Sequence, residues 1–170
     1  MFNKTVIERY FIAEKSESLI FIILGIVAII ISLVFFFYFK SSFHRGFAIP
    51  LVLVSLLQIA VGAIVYRKSD NDRINNVYSF DLDPGKLKTE EIPRMEVVMK
   101  NLAIYRWVEI SLVITGLLLI IFFRTQIEQS FWYGFGIGLT VQSIAMLVAD
   151  FFSEKRGYEY LLGLKTFFKI

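Results

Sequence analysis

The sequence predicts an all-α integral membrane protein. The expected architecture is a four-helix transmembrane bundle, a tandem (parallel) repeat of a two-helix hairpin, with helices extending into the cytoplasm. Three observations carry this. The 170-residue chain is 56% hydrophobic with a mean hydropathy of +0.65, above the roughly 45–50% apolar content of soluble domains. Four stretches reach or approach the roughly 20 apolar residues that cross about 30 Å of hydrocarbon. One stretch of turn and helix start is written twice, 88 residues apart.

The first span is residues 19–39, 21 residues without a charge. In lipid it must be helical, since an open strand leaves backbone groups unpaired. It ends in "FFFYFK" rather than a small-residue cleavage site, so a retained anchor is expected. Before it, "TVIERYFIAEK" puts Val6, Ile7, Tyr10 and Phe11 on one stripe, with Thr5 and Glu8 at capping-box spacing. The helix therefore starts outside the membrane.

The second span is residues 47–66, with Pro50 expected in its first turn. A cytoplasmic loop at 67–103 follows. Its irregular part is "NNVYSFDLDPGKLK", around residues 76–88, where Asp-Pro-Gly signals a turn. "DLDPGKLKTEEI" departs from a calcium loop, because Gly85 stands fifth and Ile92 twelfth. In "RMEVVMKNLAIYR", Met95, Val98, Met99 and Leu102 fall at helical spacing. Pro93 fits a first turn, so the third helix is expected to begin between residues 89 and 93.

The third span, 107–123, is the least apolar; only residues 110–123 are an uncharged run, and Glu109 falls inside it. The fourth is residues 129–150. The tail, 151–170, fits either a helix extension or a basic segment lying on the membrane. The chain thus reads as a single membrane domain, 1–170.

Fifteen Lys and Arg fall on the termini and central loop, against Lys40, Arg45 and Arg124 at the two hairpin turns. By the positive-inside rule both termini and the loop are cytoplasmic, and Tyr38, Trp132 and Tyr133 mark the far interface. The expected location is a bacterial inner membrane.

The repeat is "SFHRGFAIPLVLVS" against "SFWYGFGIGLTVQS", matching at seven of fourteen positions, among them Phe43/Phe131 and Gly46/Gly134. Two spans per copy make both copies share one orientation, related by an axis along the membrane normal. Small residues suit close helix contact in lipid. The packing candidates are Gly25 and Ser32 with Ala28, Gly62 with Ala60 and Ala63, Ser111 with Thr115, Gly134 with Gly138, and Ala145 with Ala149.

With no cysteine, thiolate chemistry is excluded, and one histidine excludes bis-histidine haem ligation. No catalytic, metal or cofactor residue is expected. Gln58, Gln142 and Ser143 lie inside spans and need hydrogen-bond partners. Glu17, Arg67, Arg106, Glu109 and Asp150 fall at the cytoplasmic helix ends, a candidate polar ring. Arg106 and Glu109, three apart, can pair.

Three functions remain. The first is a non-enzymatic protein acting through another protein, for example an immunity protein against a membrane-targeting toxin, or an accessory subunit. The second is an oligomeric channel or small transporter. The third is a membrane-embedded enzyme working at the cytoplasmic boundary. The expected partners are membrane lipid and a second protein or further copies of the chain, with no nucleic acid.

Overall fold

In a computed structural model, which describes residues 2–170, the chain is four long helices: α1 (Lys4–Phe39), α2 (Ser42–Leu82), α3 (Pro84–Phe123) and α4 (Ile127–Phe168). Each is long and apolar enough to cross a membrane. At 1.5 Å per residue, 36 to 42 residues run about 54–63 Å, roughly twice the hydrocarbon thickness.

The connections are short. Lys40 takes a left-handed conformation at φ 52°, ending α1. Ser41 then caps α2, its hydroxyl accepting from the His44 N–H at 3.3 Å. Short links force antiparallel neighbours, so α1 packs on α2 and α3 on α4, and the two hairpins meet along α2 and α4.

Several local expectations change. The cap of α1 is Asn3, whose side chain accepts from Val6 N at 3.1 Å; Thr5 lies inside the helix. The 67–103 segment is almost wholly helical. Only Asp83 breaks it (φ −149°), because a residue before proline is pushed out of the helical region and Pro84 can open the next helix. The irregular 76–88 stretch therefore shrinks to a one-residue break. Residues 67–82 stay helical because Val77 and Phe80 pack on an apolar core and Lys68 pairs with Asp72 four residues on. Pro50 lies inside α2, which starts at Ser42. The tail continues α4 through Phe168.

Packing changes character along the helices. Toward the hairpin turns, small residues let backbones touch. A Cβ on Gly46 would overlap the carbonyl oxygen of Phe131, and one on Gly134 would overlap that of Phe43. Gly138 likewise abuts the Phe47 carbonyl, Gly62 the Ser18 carbonyl, and Gly25 the Ile59 side chain, while Ser32 is fully buried. Toward the termini, large side chains form an ordinary core of Ile7, Tyr10, Phe11, Met95, Tyr160 and Leu164 with their neighbours. Tyr10 and Tyr160 stack at 4.1 Å. Every ion pair among the described residues is also at this end. Lipid gives helices no hydrophobic reason to associate, whereas water does. Backbone contact through small residues is the packing expected in lipid, and a core of large side chains the packing expected in water.

Two packing expectations fail. Ala145 is exposed and Ala149 only half-buried; Ser111 and Thr115 are exposed too. Their spacing is right, but these faces of α4 and α3 stay largely open. The α3–α4 contact uses Gly116 and Gly136 instead. A Cβ on Gly136 would come within 2.8 Å of the Gly116 carbonyl, and one on Gly116 within 2.9 Å of the Gly136 carbonyl.

Candidate functional site

All four helices enclose a cavity of about 260 Å³ where the small-residue contacts give way to the large-side-chain core. Its walls are largely apolar, with Phe21 and Tyr105 from α1 and α3 and Val61 and Val65 from α2. The charged groups come from α1 and α4: Glu14, Glu17, Asp150 and Arg156, with Ser18, Asn101 and Ser153 as neutral polar neighbours.

Most of these groups are satisfied. Glu14 accepts from Tyr10 Oη at 3.1 Å and from the buried Ser69 hydroxyl at 2.6 Å. Glu17 pairs with Arg156 and accepts from Ser153 Oγ at 3.2 Å, joining α1 to α4. Burial pushes the Tyr10 and Tyr160 hydroxyls well above the usual phenol range. Burial opposes the charge on Arg94, but the Glu91 carboxylate, bonded through two nitrogens at 2.7 Å each, outweighs it and raises the guanidinium. Lys15 and Asp70 hydrogen-bond across α1 and α2; the bond raises Lys15 and lowers Asp70.

The five charged residues singled out in the sequence do not form one ring. Arg106 does not pair with Glu109. Its Nη1 reaches both carboxylate oxygens of Glu154, at 2.6 and 2.7 Å, across the α3–α4 contact. Arg67 is exposed and makes no ion pair among the described residues. Glu17 belongs to the Arg156 pair. Glu109 and Asp150 do come together: α3 and α4 run antiparallel, and about one turn deeper than the Arg106–Glu154 contact these two residues stand level with each other. Glu109 is only 4% exposed, and neither of its oxygens meets a donor among the described residues. Glu154 and Arg156, both central to these contacts, were not singled out by sequence reasoning. The available signal was their position, four and six residues beyond Asp150 on α4.

Deeper in the spans, Gln142 Nε2 donates to Gln58 Oε1 at 2.8 Å, and Gln58 Nε2 donates to the Phe21 carbonyl at 2.9 Å. The expected hydrogen bonding between helices is therefore present for both glutamines. Ser143 is buried, but its hydroxyl has no partner among the described residues. Among these residues no group of three or more potential metal ligands occurs.

No family model, curated protein or solved structure matches the chain.

Proposed function

We propose that this is a non-enzymatic membrane protein that acts by binding a second protein through the half of its bundle that holds the termini. One observation carries the reading. Ile74, Tyr78 and Leu82, four residues apart on α2, are 58–66% exposed. They form one stripe beginning seven residues past Arg67, about 10 Å beyond the apolar span. Lipid exposure does not account for apolar side chains there, and a contiguous exposed apolar stripe in water marks an interaction surface. A partner helix laid along such a stripe is a common docking mode.

An immunity protein against a membrane-targeting toxin and an accessory subunit both fit this description. The protein sits in a bacterial inner membrane with both termini and the α2–α3 link in the cytoplasm. The fifteen-to-three distribution of basic residues and the water-type core at the same end support that orientation. The chain is a duplicated hairpin. Support comes from the reciprocal seating of Gly46 on Phe131 and Gly134 on Phe43, positions that interchange under the 88-residue offset.

The test is site-specific photocrosslinking in cells from Tyr78 and Leu82, with lipid-facing Leu57 as control. The reading requires one discrete protein adduct from the two stripe positions, weakened when Ile74→Lys is added. Identical adducts from all three positions, or none from the stripe, contradict it.

A second reading, an oligomeric channel or small transporter, is favoured by the central cavity beside the Glu109–Asp150 pair. It requires flux through proteoliposomes that Glu109→Gln abolishes.

A further inference from the structure

The carboxyl pair stands apart from the partner-binding reading and carries its own inference. Asp150 lines the four-helix cavity. Glu109 lies behind it on α3, one helical turn deeper than the cavity-lining Tyr105. Standing level on facing helices, with Glu109 buried, two carboxylates repel, and both cannot stay ionised. A carboxyl oxygen can receive a hydrogen bond from another carboxyl only if one of them carries the hydrogen. Glu109 has no alternative donor: it is more than nine-tenths buried, and its two oxygens meet no N–H or O–H among the described residues.

No ion pair among the described residues reaches Glu109 or Asp150. On α3 the nearest cation, Arg106, is held by Glu154 of α4. Glu154 itself adds negative charge beside Asp150. On α1, Glu17 holds Arg156 and accepts from Ser153, while Glu14 is taken by Tyr10 and Ser69. The α2 wall of the cavity is Val61, Gly62 and Val65, without charge.

We propose that Glu109 and Asp150 form a proton-binding site, holding one hydrogen ion between their carboxyl groups and exchanging it with the aqueous phase through the four-helix cavity. The arrangement is an acid–carboxylate pair that titrates as a unit. Its open side, at Asp150, is the cavity, which supplies the hydrogen.

Infrared spectroscopy of the full chain in phosphatidylcholine nanodiscs tests this directly. At neutral pH the wild type is expected to show the carbonyl stretch of one protonated carboxylic acid per chain, shifted by deuterium exchange. Glu109→Gln and Asp150→Asn each remove or displace the titration of that band, while Glu128→Gln, exposed at the α3–α4 turn, leaves the band in place. A wild-type spectrum without a protonated acid at neutral pH overturns the proposal, and needs no variant to do so. An unchanged titration in Asp150→Asn overturns the sharing. A titration that moves when sodium replaces a bulky organic cation identifies a sodium site and overturns the assignment to a proton.

Discussion

Gly46 of α2 rests directly on the backbone carbonyl of Phe131 in α4. Alanine in a helix is ordinarily favoured over glycine by about 1 kcal/mol. Here the added methyl meets backbone that cannot rotate away, so Gly46→Ala is expected to destabilise by about 1–3 kcal/mol. Gly134→Ala should behave alike. Gly157→Ala is the contrast: the nearest atom to its Cβ is the flexible Met99 sulfur at 2.9 Å, so it should be neutral or mildly stabilising. Unfolding of all three in a denaturing-detergent titration checks the sign.

The Gln142–Gln58–Phe21 relay links three helices through two hydrogen bonds. Gln58→Leu should cost more than Gln142→Leu, because it removes both. A double-mutant cycle with the two leucine variants should give a coupling of about 0.6–2 kcal/mol. Strict additivity would mean that the side-chain bond contributes nothing.

Phe11 is 1% exposed in the core at the termini end. Phe11→Ala should destabilise that core by about 3–5 kcal/mol. Hydrogen–deuterium exchange should accelerate at residues 4–17 and 157–168. The Gly46–Phe131 region should stay protected, because its contacts are made by backbone and do not involve that core.

Lys15 and Asp70 tie the outer parts of α1 and α2 together. The hydrogen bond from Lys15 lowers Asp70, so that carboxylate's stabilising share is complete above the ordinary carboxyl range and is lost as pH falls through its lowered value. The bond raises Lys15, so the ammonium's share is complete below the ordinary lysine range and is lost as pH rises through its raised value. Spin labels on the outer parts of α1 and α2 should hold closest between those limits. Asp70→Asn should flatten both limbs. Both side chains are partly exposed, so the effect is small and added salt should reduce it.

Much of the fold was legible because lipid enforces it. Residues 19–39 and 47–66 can only be helices once they are in hydrocarbon. The Phe43–Gly46 and Phe131–Gly134 match was visible as a repeat, but that these two segments meet is seen only in the packing of α2 on α4. Three further things were hidden. Composition made 67–82 look like a loop, yet its helix depends on Val77 and Phe80 finding a distant core. The stripe carrying Ala145 has the spacing of a packing motif, and spacing alone does not say which face turns inward. The Arg106–Glu109 pairing was allowed by local geometry, but Glu154 on another helix offered both of its oxygens. In the candidate site, Glu109 stood out because a carboxylate sits in a span, whereas its contact with Asp150 depends on how α3 and α4 pack.

The central claim is that the chain crosses the bilayer four times, with both termini and the α2–α3 link on one side. Native cysteine is absent, so single-cysteine labelling with an impermeant maleimide on intact cells has no background. Gln126→Cys, at the α3–α4 turn, should label from outside, and Lys86→Cys, just past the α2–α3 break, should label only after the cells are opened. Labelling of Lys86→Cys on intact cells would contradict the account.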